Sequence, residues 1–291
     1  MQMTGYSPPL TMITRAAETG RYKANLPVWN ILLRGFMSGA FVAMGGALAT
    51  VCSTGIIAAE PALRFGMASP GFAQMVMGMV FPLGIILTVI TGVELFTGDV
   101  MLAPMASFVH GMAWSKVLNL WLFAYMGNFA GAITFAYIVA NGPFVVIDAS
   151  GAGTVTSFGM RAIEIATLKT SYVGVSGLWS AILKGIACNW LVNLAILLAF
   201  FSEDLTGKII GIWFPIMAFV ACGFEHCIAN MYYISAGIFT QGYLGDHGSL
   251  TWTSLWMNNV IWVTIGNIIG GLFFVSIFFW IAYQNEVQPV T

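Results

Sequence analysis

Two apolar stretches of this chain are interrupted by carboxylates: Gly92-Val93-Glu94-Leu95-Phe96-Thr97-Gly98-Asp99 by two and Gly223-Phe224-Glu225-His226-Cys227-Ile228-Ala229-Asn230 by one. An ionisable group inside a hydrocarbon-length segment is costly and faces a protein interior or a water-filled path. His226 carries the most chemistry, because imidazole is the side chain whose charge switches near neutral pH. It follows Glu225 at an expected helix break, and no other histidine falls in an expected span, His110 and His247 being read as loop residues. The bland alternative is a histidine that donates to a neighbouring carbonyl. At a broken helix the half-helix N-terminus directs free N–H groups and a positive dipole end into a cavity, which favours a small anion. Thr97 adds a hydroxyl at the other break. This inventory suits a compact monovalent anion better than a sugar or a peptide. Glu225 is read as orienting His226 or bonding to the other loop.

These groups must be positioned by membrane helices. Hydrophobic residues make up 59% of the chain and charged residues 7%, with a mean hydropathy of +0.87, the composition of a polytopic membrane protein. A net charge of -1 leaves no basic surface for nucleic acid. Cys52, Cys188, Cys222 and Cys227 sit in apolar segments without paired spacing, so they are read as packing residues rather than disulfides or zinc ligands. Residues 1–25 have no apolar core and do not read as a cleaved signal peptide. Haem ligation wants a histidine pair inside helices, and only His226 qualifies. Enzyme signatures are missing too, since His226 has no HExxH partner and Ser176 has no base beside it. No cofactor is expected.

Apolar runs at roughly 30–53, 72–95, 116–140, 181–202, 208–222 and 257–283 are expected to cross the bilayer, at about 20 residues per crossing. Six crossings put both termini on one side. That side collects Arg15, Arg21, Lys23, Arg34, Lys116 and Lys208, whereas the other holds Arg64, Arg161, Lys169 and Lys184, several of them in a long loop. The positive-inside rule therefore puts the termini in the cytoplasm. The Gly-, Ser- and Thr-rich segment 142–178 becomes an external loop. Trp114, Trp252 and Trp256, near segment ends, read as interfacial anchors.

Residues 72–109 and 208–240 are each too long for one helix and too short for two crossings. A break in each resolves this, and both breaks fall at the Gly-x-Glu sequences. Irregular backbone at membrane depth is tolerated only where it is buried in protein or lines a cavity. The chain also repeats: Arg34-Gly35 is echoed by Lys184-Gly185, Gly92-x-Glu94 by Gly223-x-Glu225, and Asn119 with Gly127-Asn128-x-x-Gly131 by Asn258 with Gly266-Asn267-x-x-Gly270. Three helices per half make the repeat inverted, with the midplane as the expected site. The Gly35/Gly39, Gly127/Gly131 and Gly266/Gly270 pairs let backbones approach closely. Asn189 and Asn193 share one face of the fourth helix and need buried partners.

The segments ELFTG at 94–98, KGIACNWLVNLAI at 184–196, GFEHCIANM at 223–231 and VTIGNIIGG at 263–271 together resemble the formate/nitrite transporter family, over about residues 9–283. The run Ile210–Val220 looks most like archaeal formate transporters. The resemblance implies an aquaporin-like all-α fold of six transmembrane helices, an inverted 3+3 repeat with two broken helices, and a homopentamer with one pore per protomer. It implies that His226 is the central pore histidine bonded to Thr97, with Asn189 nearby. Phe81, Ile85 and Phe219 would form the cytoplasmic constriction, and Phe96 with Val192 the periplasmic one. Lys23 and Lys169 would draw anions to the two vestibules. Asp99 stands where the family varies, and a second carboxylate beside an anion path must be paired or turned away. One transporter domain over 1–291 is expected, with a cytoplasmic amphipathic N-terminus (1–28), a first repeat (29–141), an extracellular loop (142–179), a second repeat (180–283) and a cytoplasmic tail (284–291). The implied partners are formate or a similar small anion, protons and the lipid bilayer, in the plasma membrane. Nitrite and hydrosulfide remain open as substrates, as does passive anion conduction beside proton symport. A neutral-solute channel is disfavoured, since the paired Asn-Pro-Ala signature is missing and Glu-His lines the break.

Overall fold

A computed structural model describes residues 9–56, 70–245, 248 and 250–286. The amphipathic helix α1 (Pro9–Ala24) precedes the first long apolar helix, α2 (Val28–Ser53). Helices α3 (Pro70–Val80) and α4 (Pro82–Thr91) follow one another with a joint at Phe81, where Pro82 has no N–H to continue the ladder. Gly92, at φ 70°, takes the left-handed conformation that closes α4. The chain then runs extended to Leu95 and starts the half-helix α5 (Phe96–His110). Helix α6 (Trp114–Ala140) completes the first half.

The second half repeats this order. Helix α7 (Ser157–Lys169) precedes the long helix α8 (Gly174–Phe201). Helix α9 (Leu205–Ala221) ends at Cys222, Gly223 again has φ 70°, and the half-helix α10 (Cys227–Gln241) begins after His226. The last rod, α11, spans Trp252–Tyr283 and contains two wider π-helical stretches, Trp256–Val260 and Ile269–Ile277. Five stretches, Val28–Ser53, Gly71–His110, Trp114–Ala140, Gly174–Phe201 and Trp252–Tyr283, are long and apolar enough to cross a membrane, and Leu205–Ala221 is a shorter apolar helix. With α9–α10 as the sixth crossing, this is a multi-pass, all-α membrane protein with an aquaporin-like inverted repeat.

Close backbone contact holds each half together, because lipid supplies no hydrophobic force between helices. A Cβ on Gly35 would lie 3.1 Å from Gly127 Cα, and one on Gly185 would lie 3.1 Å from Gly266 Cα. A Cβ on Gly131 would sit 1.9 Å from the Phe36 carbonyl oxygen. The same helix faces carry an asparagine that clamps the adjacent break. Asn128 accepts from Phe96 N–H at 2.9 Å and donates to the Gly35 and Glu94 carbonyls, each at 2.8 Å. Asn267 accepts from Cys227 N–H at 2.9 Å and donates to the Gly185 and Glu225 carbonyls at 2.8 and 2.9 Å.

The expected boundaries shift in three places. Segment 142–179 is no simple loop: it holds an antiparallel hairpin of β1 (Val145–Ile147) and β2 (Gly153–Val155), then α7, and α8 already begins at Gly174. Helix α7 is too short and polar to cross a membrane, and like α1 it precedes the long apolar helix of its half. His110 is the last residue of α5, not a loop residue. Arg64, His247 and the chain ends 1–8 and 287–291 lie outside the described residues.

Candidate functional site

The clamp register aligns Glu94 with Glu225, and hence Leu95 with His226 and Asp99 with Asn230; Lys23 and Lys169, near the ends of α1 and α7, correspond by pairing with those two glutamates. His226 is the N-cap of α10, and its Nδ1 accepts from Ala229 N–H at 3.1 Å. With that lone pair engaged, the neutral imidazole carries its proton on Nε2 and donates to Thr97 Oγ1 at 2.9 Å. A second proton on the ring would cost the capping bond. Thr97 is in turn held by its carbonyl, which accepts from Asn189 Nδ2 at 3.0 Å and Asn193 Nδ2 at 3.1 Å. One residue of the first break is thus bonded to three side chains of the second half.

Two cavities approach this knot from opposite faces. The larger, about 410 Å³, opens on the α7 face and is lined by Lys169, Tyr172, Lys184, Phe81, Phe219 and His226 among others. The smaller, about 90 Å³, opens on the α1 face beside Lys23, Thr88, Val89, Leu95 and Asp99. Phe219 stacks on His226 with ring centroids 5.9 Å apart and meets Phe81 edge-on at 5.7 Å. Along α4, Phe81 belongs to the larger cavity and Thr88 to the smaller, a rise of roughly 10 Å at 1.5 Å per residue. Ile85 fills the interval and lines neither.

Of the residues expected to form the constrictions, Phe81 and Phe219 line the cavity that opens on the α7 face, together with Lys169. Phe96 and Val192 are buried and line neither cavity, and the Phe96 ring packs edge-on against Tyr125 at 4.9 Å and Trp121 at 6.3 Å. Leu95 lines the α1-face cavity instead.

Neither vestibule lysine is free. Lys23 is 8% exposed and donates to Glu94 at 2.7 Å, to the Val93 carbonyl at 3.2 Å and to Asp99 at 3.4 Å. Burial opposes its charge, but Asp99 and Glu94 outweigh burial and hold the ammonium above its ordinary range. Arg34 approaches Glu94 at 3.5 Å. Lys169 donates to Glu225 at 2.8 Å and lies over the Tyr233 ring at 5.4 Å. Glu225 also accepts from Tyr172 Oη at 3.0 Å and from Asn230 Nδ2 at 2.6 Å, so it orients neither His226 nor the other break. Burial, and then Glu225, push the Tyr172 hydroxyl up, which keeps it a donor. Lys184 donates to Tyr172 at 2.9 Å and extends this chain to the cavity. Of the half-helix N–H groups expected to face an anion, those of Phe96, Cys227 and Ala229 are taken by Asn128, Asn267 and His226.

Sequence reasoning passed over Asn128, Asn267, Leu95, Tyr172 and Lys184 as site residues. The two asparagines were visible as a repeated Gly-Asn pair, and Leu95 follows from aligning the two glutamates; nothing in the sequence marked Tyr172.

The family profile described as "Formate/nitrite transporter" matches residues 10–281. The chain is 37% identical over 287 residues to a probable formate transporter of Methanothermobacter thermautotrophicus, covering 97% of this chain and 99% of the relative. It is 36% identical to the formate channel BtFdhC of Bacillus thuringiensis, covering 92% and 93%. Among solved structures, a pentameric formate channel with formate bound superposes with a TM-score of 0.71 at 29% identity, covering 88% of this chain and 98% of that one.

Proposed function

The chain belongs to the formate/nitrite transporter family, and from that premise we propose that it conducts a small monovalent anion, formate first, through one pore in each protomer of a homopentamer. The family and its structural neighbours are channels and transporters, not enzymes. The observation that carries the reading is the 2.9 Å bond between His226 Nε2 and Thr97 Oγ1, made between the two helix breaks and flanked by cavities on opposite faces.

An anion reaching the Phe81–Phe219 pair loses water, and an uncompensated charge there costs roughly several kcal/mol. The Lys169–Glu225–Tyr172–Lys184 chain, with two ammonium groups to one carboxylate, offsets part of this on the α7 face. At the centre, His226 acts as a neutral Nε2–H donor, because its other nitrogen caps α10. It polarises the anion so that a proton arriving through the water-filled vestibule neutralises it, and the acid crosses the apolar interval past Ile85 and Leu95. Transport is then anion plus proton. The protein sits in the plasma membrane with α1 on the cytoplasmic face.

Uptake of labelled formate by reconstituted liposomes, challenged by nitrite, hydrosulfide and lactate across a pH range, tests the substrate. Formate displaced by nitrite or hydrosulfide but not by lactate is the expected result; no formate uptake overturns it. Electrical recording tests the coupling, since currents that scale with formate and persist without a proton gradient exclude obligatory neutral cotransport. His226→Phe abolishes proton-coupled uptake and leaves the assembly intact on size-exclusion chromatography.

A further inference from the structure

The two cavities differ in charge, and one source of the difference is a single register position. On the α7 face, Arg161, Lys169 and Lys184 line the cavity with one carboxylate, Glu225. On the α1 face, Lys23 and Asp99 line the cavity, with Glu94 and its partner Arg34 behind them. Where the first half carries Asp99, the second carries Asn230, five residues after the aligned glutamate in both halves.

Asn230 donates to Glu225 at 2.6 Å and to Asn259 Oδ1 at 2.7 Å. An ionised Asp99 has no proton to donate. Its Oδ1 receives Lys23 at the long distance of 3.4 Å, while Oδ2, fully buried, has no hydrogen-bond partner among the described residues. The Oε1 atom of Glu94 is likewise without a hydrogen bond. Both carboxylates approach the Lys23 ammonium, but Glu94 also has the Arg34 guanidinium 3.5 Å from its Oε1, so Asp99 is the one left with a single long contact and a buried oxygen that no donor reaches among the described residues. Trp121 on α6 touches Asp99 only through its backbone carbonyl, and Ile196 and Phe200 of α8 beside the cavity are apolar. The charged groups facing Asp99 are therefore Lys23 from α1 and Glu94 from the break, with Arg34 of α2 behind Glu94.

We propose that Asp99 is a proton-binding site that sets the charge of the α1-face cavity, neutral when the carboxyl is ionised and positive when it is protonated, so that anions load from this face faster once it is protonated. The step is the binding of one proton from water to a carboxylate oxygen, and the resulting O–H supplies the kind of donor that Asn230 supplies in the other half. The inference rests on the anion-conducting function proposed above.

The test compares the full chain with Asp99→Asn in liposomes held at equal pH on both sides, with a formate gradient. One unit of charge at the mouth of a partly solvated cavity predicts a flux about five- to tenfold higher in the variant at about pH 8, with the ratio approaching one at about pH 5. Asp99→Ser, neutral but shorter, follows the same trend and guards against a folding defect in the first variant. A ratio that does not change with pH overturns the proposal. If the wild-type chain passes no formate at any pH, the transport reading fails, and infrared titration decides the site by itself. A protonated-carboxyl carbonyl band that grows on acidification in the wild type and is lost in Asp99→Asn upholds it, and a band unchanged in the variant overturns it.

Discussion

Thr97 is the residue on which the two halves converge, and its hydroxyl and carbonyl do separate work. The carbonyl fixes the break through Asn189 and Asn193, whereas the hydroxyl accepts the proton-bearing nitrogen of His226. Thr97→Val keeps the shape and the carbonyl bonds but leaves that buried donor without an acceptor, a loss of about 1–3 kcal/mol. The expected outcome is a lowered thermal midpoint together with reduced formate uptake, and Thr97→Ser restores both. A valine variant that transports normally would remove the hydroxyl from the pathway. Next to it, Phe219 touches both Phe81 and His226, so Phe219→Ala widens the α7-face constriction. Lactate, whose exclusion by the wild type is the expected result above, then competes with formate in uptake assays.

At the scale of elements, the asparagine clamps explain why two irregular breaks survive in an apolar interior. Each amide satisfies one half-helix donor and two carbonyls, and those backbone groups have no water to turn to. Asn267→Ala strips partners from Cys227, Gly185 and Glu225 at once and lowers stability by about 3 kcal/mol or more. Asn128→Ala does the same by symmetry, and equal losses in differential scanning calorimetry check the equivalence of the halves. The exposed start of α9 behaves differently. Gly207 N–H, and then the Ser202 hydroxyl, hold the Asp204 carboxyl below its ordinary range, so this cap stabilises above that range and is lost as pH falls through the lowered value. Hydrogen exchange at the first turn of α9 rises on acidification, and Asp204→Ala removes the dependence. The breaks and the repeat were legible in the sequence because Gly-x-Glu and Gly-Asn stand out against apolar runs at helical spacing. Helix α7 was not, since a thirteen-residue amphipathic helix has neither the length nor the hydropathy of a crossing. The lysine pairings were also hidden, because Lys23 meets Glu94, and Lys169 meets Glu225, across sequence separations that no local pattern encodes.

At the scale of the molecule, the halves are equivalent in frame and different in lining. Clamp, glycine contacts and lysine–glutamate pairs repeat, while His226 faces a cavity where its counterpart Leu95 lines a smaller one. A homopentamer of 31.3 kDa chains gives a native mass spectrum with five copies, and a smaller assembly would contradict the proposed quaternary state. The three bonds that converge on Thr97 also limit how the protein can move. A carrier that rocks one half against the other would have to rupture them, together with the Tyr125–Thr264 bond at 3.0 Å, on every turnover. A frame laced across its own midline leaves the solute as the travelling part, so the Arrhenius slope of formate flux is expected to reflect the shedding of water at the constriction alone, and cooling slows delivery less than it slows a carrier that must change shape.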